Sequence, residues 1–275
     1  MVRNVIFLAA AATVTAHILV HPAIAFQSRN AVCAVMKKSG DRGLSNGCAG
    51  LIQLVQEEDY ETLIYPAFKL CEETGDKSPL ERRTQQCAIP IDWARAHNEY
   101  SILTQALTDR CWVHILLNEA EPAKPDCEAA LAAEQAYERK GGNAADYAHA
   151  VYAANAALQS LLEDFKGALD DENTAVDYIT SPAPGYAYIF SNRGLTYTYL
   201  KQFDDALDDF NQAIRLDSKY MPAYLNRGLE YERRGDPQHA KEDFSTAVAL
   251  PAEDYDFGHE KHDKAAAHLK ALTGK

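Results

Sequence analysis

The chain has 275 residues, 47% hydrophobic and 24% charged, with a formal net charge of −13. That length buries a sizeable core as one large domain or two ordinary ones, and the composition is that of a folded protein. The acidic balance argues against nucleic acid and anionic membrane surfaces as partners, and abundant helix formers with few β-branched runs exclude an all-β fold.

Arg3 is followed by an apolar run from Val5 to Val20, interrupted by Thr13, Thr15 and His17, and then by small residues at Ala23 and Ala25. This is the order of a secretory signal peptide cleaved after Ala25; the run of about 16 residues is shorter than the ~20 that cross a bilayer. Residues 1–25 are expected to be an export signal, with an uncleaved anchor as the alternative. The mature chain is then periplasmic or secreted, without membrane insertion after cleavage.

The six cysteines are Cys33, Cys48, Cys71, Cys87, Cys111 and Cys127, with no CxxC among them. In an oxidising compartment an even number reads as a disulfide framework. Sequential pairing (Cys33–Cys48, Cys71–Cys87, Cys111–Cys127) leaves no cysteine over, and each loop of about 15 residues would contribute ~3 kcal/mol. Pairing across hairpins (Cys48–Cys71, Cys87–Cys111) strands Cys33 and Cys127.

Residues 26–145 read as divergent helical repeats. Asp59-Tyr60-x-x-Leu63 reappears as Glu99-Tyr100-x-x-Leu103, and Cys71 as Cys111. Ser78-Pro79-Leu80-Glu81 is a helix-start signal, and Pro90 should kink or break the helix it begins. Alternating helix directions favour a break near Thr108-Asp109-Arg110. Glu121 to Asp126, with Pro122 and Pro125, reads as a loop. Cys127 to Arg139 reads as a helix ended by Gly141-Gly142.

Further along, a repeat becomes explicit. At a shift of 34, Asn192-Arg193-Gly194-Leu195 becomes Asn226-Arg227-Gly228-Leu229, Tyr197 becomes Tyr231, and Ala206, Phe210 and Ala213 become Ala240, Phe244 and Ala247. Phe190, Gly194 and Tyr197 share one helix face, and Ala206, Phe210 and Ala213 share one on the next helix. The pattern is a helical hairpin whose backbones approach closely at Gly194 and Ala206. A degenerate upstream copy maps Phe203, Ala206 and Ala213 to Phe165, Ala168 and Ala175, and Gly194 to Ala156. Hairpins of this kind bury their apolar faces only by stacking. Gly258 to Leu272 reads as an amphipathic closing helix, with Ala265, Ala266, Leu269 and Leu272 toward the last repeat and its lysines toward water.

On this period, with its aromatic, Gly, Tyr and paired Ala, the sequence resembles the tetratricopeptide repeat family. The resemblance implies an all-α fold, a right-handed superhelical solenoid of antiparallel helix pairs with a divergent, disulfide-bearing N-terminal half. The organisation is then residues 1–25 signal, 26–145 divergent repeats, 146–252 three repeats (149–182, 187–220 and 221–252), and 253–275 capping helix and tail.

The resemblance also implies a non-enzymatic scaffold that recognises a protein or peptide in the concave groove lined by first helices. Asn192, Leu195, Tyr199, Asn226, Leu229 and Arg233 are the expected groove residues. Alternatively, Asn192 and Asn226 hydrogen-bond the neighbouring hairpin. Arg193 and Arg227, beside the small Gly, are expected between hairpins. The family's carboxylate-clamping variant is not expected, since Ala153, Ala157, Ser191, Leu225 and Leu229 at the matching positions are not basic; a basic or neutral segment suits the acidic chain better. No cofactor is implied. His259 and His262, with His268 beyond, read as a solvated charged helix rather than a metal site. No catalytic motif is found. The alternative function is a secreted enzyme or enzyme-modulating factor with activity in the cysteine-rich half. Homo-oligomerisation is left open.

Overall fold

The computed structural model describes residues 80–251 and 258–274. The expected export signal and Cys33, Cys48 and Cys71 lie outside them. The described chain is all-α. Its helices are α1 (Leu80–His97), α2 (Tyr100–Leu116), α3 (Ala120–Arg139), α4 (Ala148–Leu161), α5 (Phe165–Asp177), α6 (Ala187–Tyr199), α7 (Phe203–Leu216), α8 (Met221–Arg233), α9 (Pro237–Ala249) and α10 (Gly258–Thr273). None of them is long and apolar enough to cross a membrane. Successive hairpins α2/α3, α4/α5, α6/α7 and α8/α9 stack side by side into a solenoid, with α1 against α2 and α10 closing the array on α8 and α9.

Each hairpin turns in the same way. Asn118, Glu163, Lys201 and Gly235 have positive φ (60°, 62°, 63° and 74°) and stand two residues after the last helical residue. The next residue's N–H donates five residues back: Glu119 to His114, Asp164 to Gln159, Gln202 to Tyr197 and Asp236 to Tyr231, at 2.8–2.9 Å. This left-handed cap satisfies carbonyls that the helix end leaves open. Only Gly235 takes up the conformation without a Cβ penalty; recurrence at the other three shows that stacking dictates the turn.

A second register repeats in the interior. Arg193 and Gly194 face Asp209 and Phe210; Arg227 and Gly228 face Asp243 and Phe244. A Cβ on Gly194 would stand 2.5 Å from Phe210 Cε1, and one on Gly228 2.7 Å from Phe244 Cε1, so only hydrogen fits at both. In α2/α3 the same spacing carries Arg110-Cys111 and Asp126-Cys127. Arg110 pairs bidentately with Asp126 (2.6 and 2.7 Å), and Cys111 is disulfide-bonded to Cys127, with Cα atoms 5.3 Å apart. The disulfide therefore stands where later repeats place Gly against Phe. Two short side chains cannot fill that space by packing, and a covalent bond holds the helices instead. The bridge is one that sequential pairing contains, and it excludes the hairpin set's Cys87–Cys111. Cutting it by Cys111→Ser is expected to destabilise α2/α3 by about 3 kcal/mol. Hydrogen exchange should then show α2 and α3 opening before α6 to α9; unchanged protection of α2 and α3 would contradict this.

Three local expectations are corrected. Of the expected kink or break at Pro90, the break is absent: helix α1 runs on through it. Proline in a helix interior costs about 3 kcal/mol, but Pro90 is fully buried with Cys87, Ile91 and Ala94 against α2, and that packing carries the helix across. Second, α2 is continuous through Thr108-Asp109-Arg110 and ends at Leu116; α1 already supplies the opposing direction, and Arg110 must be helical to meet Asp126. Third, Glu121 to Asp126 is the start of α3 rather than a loop. Pro122 lies in the first turn, where an N–H has no acceptor, and Pro125 forfeits only the bond to Glu121.

In α10, Ala265, Leu269 and Leu272 pack on Met221, Leu225, Ala240, Phe244 and Ala247. His262 Nε2 meets the Val248 carbonyl at 2.9 Å and His268 Nδ1 meets Glu232 at 2.7 Å, so both imidazoles serve to dock the cap.

Candidate binding groove

The first helices α2, α4, α6 and α8 present one face of the solenoid, and α10 closes its end. The 3.6-residue period places Asn192, Leu195 and Tyr199 on one stripe of α6, and Asn226, Leu229 and Arg233 on the matching stripe of α8. All six line two adjoining depressions. The larger, about 490 Å³, lies between α6, α8 and α10 and includes Leu195, Tyr199, Asn226, Leu229 and Arg233. The smaller, about 220 Å³, lies between α2, α4, α5 and α6 and includes Asn192, Leu195 and Tyr199. Leu195, Tyr199 and the α10 residue Lys261 line both, so the two form one continuous groove.

The side chains differ in how far they are committed. Tyr199 is 62% exposed and stacks on Phe165, with ring centroids 4.4 Å apart, so its exposure lies on the rest of the ring. Asn226 Nδ2 donates to Ser191 Oγ at 3.2 Å, so this amide links α8 to α6 while lining the groove. Arg233 is held by Glu230 at 2.9 Å and lies over the Phe203 ring; its charge is largely answered from within. Arg193 and Arg227 do not line the groove. Arg193 binds Asp209 bidentately (2.7 and 2.9 Å) and reaches Asn173 on the preceding hairpin; Arg227 does the same with Asp243 and Asn211. The hydrogen-bonded Asp243 carboxylate holds the Arg227 guanidinium above its ordinary range.

Residues outside the expected set also line the groove. Lys261 and Lys264 of α10 turn toward the groove rather than simply outward, so its α10 end is more basic than the net charge suggests. Trp112 joins the smaller depression from α2. Glu172 of α5 stands in the register of Phe210, with Ala156 in that of Gly194. It is 3% exposed, accepts from Thr196 Oγ1 at 3.1 Å through Oε1, and has no partner at Oε2. Burial pushes its carboxyl up to about 8. The shift of 38 carried this signal in the sequence: extending it from Phe203 to Phe210 lands on an acid.

The tetratricopeptide repeat family matches residues 187–220, which hold α6 and α7, and again residues 222–254, which take in α9 and all but the first residue of α8. The chain is a tetratricopeptide repeat protein. The repeat's first helices are those that line the groove. Over 90 residues, 33% of its length, this tetratricopeptide repeat protein is 29% identical to heat shock protein STI1 of Saccharomyces cerevisiae, and the match takes in 15% of that protein. Over 101 residues, 36% of its length, it is 32% identical to serine/threonine-protein phosphatase 5 of Mus musculus, of which the match takes in 20%. The chain thus spans a fifth or less of these curated relatives. The crystal structure of BtubC (BKLC) from P. vanneervenii superimposes with a TM-score of 0.53 at 16% identity, over 72% of this chain and 91% of that one. The likeness is one of fold.

Proposed function

We propose that the protein is a non-enzymatic scaffold that holds a protein or peptide segment in the groove of its first helices, and that residues 1–25 direct it to the periplasm or out of the cell. The observation that carries this reading is the joining of Asn192, Leu195, Tyr199, Asn226, Leu229 and Arg233, from two repeats, into one continuous groove. Exposed Tyr199 supplies a flat apolar face, Leu195 and Leu229 supply apolar walls, and the Asn192 amide can both donate to and accept from an extended backbone. The net charge of −13 disfavours nucleic acid, so the partner in this reading is a polypeptide.

The test is affinity capture from periplasmic extract with wild-type protein and the Asn192→Ala/Tyr199→Ala variant. Tyr199 is exposed and Asn192 half-buried, and neither belongs to the buried core, so the fold should survive. The variant is expected to lose at least about tenfold in recovery of any protein that the wild type retains, as for truncation of a central contact. Equal recovery by both would remove these residues from recognition.

A further inference from the structure

Glu172 is a second place, besides the Cys111–Cys127 bridge, where this array departs from the Gly–Phe contact. Where α6/α7 and α8/α9 bury Phe210 and Phe244 against glycine, α4/α5 buries an acid in register with Ala156, whose Cβ occupies space a ring would need. The neighbouring pair is altered too: Asn155 and Asp171 stand in the register of Arg193 and Asp209, and Asn155 donates to backbone carbonyls. The Glu172 carboxyl therefore has no guanidinium of its own. Arg193 lies near enough to draw on its acidity but makes its bonds to Asp209 and Asn173. Oε1 has Thr196, and Oε2 is buried and unpartnered, an arrangement that costs free energy unless a donor arrives. Glu172 forms part of the wall of the smaller depression, beside Trp112, Leu116 and Leu195.

We infer that the smaller depression is a subsite for one lysine side chain of the bound segment, its methylene stem along Trp112 and Leu195 and its ammonium on the Glu172 carboxylate. This rests on the groove reading above and adds the chemistry of the partner. An apolar wall with one buried acid suits a lysine, which is an apolar stem with a terminal charge. The cation meets an acid that burial otherwise keeps protonated, so binding is coupled to release of that proton. The other charges that bear on Glu172 are Arg193 on α6, Asp209 on α7 and Asp171 on its own helix; Lys261 stands on the wall contributed by α10. Arg193 and Asp209 neutralise each other. Lys261 opposes an incoming cation, and its removal should favour binding.

The experiment titrates the full chain with the capped tripeptides Ac-Gly-Lys-Gly-NH2 and Ac-Gly-norleucine-Gly-NH2, followed by NMR. The lysine peptide is expected to bind at least about tenfold more tightly and to shift the Thr196 and Asn192 amides. Its affinity should rise about twentyfold between about pH 6.5 and about pH 8.5, because the fraction of Glu172 already ionised grows over that range while the lysine stays charged. Glu172→Gln should erase both the preference and the pH dependence, and Lys261→Ala should tighten binding. Equal binding of the two peptides, or a preference that survives Glu172→Gln, would overturn the inference. Failure of the groove reading shows itself differently, as undiminished protein capture by Asn192→Ala/Tyr199→Ala.

Discussion

Replacing Phe210 with alanine is expected to cost about 3–5 kcal/mol, the range for truncating a buried aromatic. Phe210 is fully buried, and its ring lies where a Cβ on Gly194 would have to go. The ring therefore fills the volume that the glycine leaves open, and alanine would leave an unfilled cavity between α6 and α7. In a stacked array the loss should spread only to nearest neighbours. Urea unfolding measures the total, and hydrogen exchange should show α6 and α7 losing protection first. A loss below about 1 kcal/mol would mean that the hairpin collapses onto the cavity and that the Gly–Phe contact is not what sets the helix spacing. Gly194→Ala should destabilise as well, since the added methyl group would meet the ring.

Stability should fall as pH rises from about 4.5 to about 8, and Glu172→Gln should remove most of that fall. The sign follows from the direction of the shift. Burial raises the Glu172 carboxyl from 4.5 to about 8, so within that window the folded chain keeps a proton that the unfolded chain has lost. The stabilisation is complete below the unfolded value and is gone once the folded value is passed. The full window corresponds to a few kcal/mol, up to about 4–5. Asp171 adds a smaller change of the same sign between 3.8 and about 6, because burial and the charges of Asp170 and Asp164 raise it. The Gln variant, isosteric and neutral, should therefore retain only the lower part of the slope and be more stable than wild type near pH 8. Thermal unfolding from about pH 4 to about pH 9 gives the profile; parallel profiles for the two proteins would show that Glu172 is solvated and ordinary.

The repeats around Gly194 and Gly228 were legible because close helix contact permits few residue types. Glycine opposite an aromatic, flanked by alanines, is a strict requirement and leaves a periodic trace. The same contact in α2/α3 was hidden, because a cysteine pair meets the spacing by a covalent bond and erases the Gly–Phe signature. The Arg–Asp spacing shared by Arg110–Asp126, Arg193–Asp209 and Arg227–Asp243 preserved the register all the same. The helical start of α3 was missed since proline's cost depends on its distance from the helix start, and that start follows from the turn at Asn118. The six groove residues followed from the resemblance to the repeat family, whose first helices line the groove. Lys261 and Trp112 did not, for they reach the groove from helices far away in the chain.

By itself, the sequence determined the all-α class and the 34-residue period, both of which depend on neighbours along the chain. The tertiary structure alone decided that two stripes, a capping lysine and a buried acid meet at one place. Burial and charge proximity are set by stacking, and a carboxyl becomes unusual only when its neighbours take its water away.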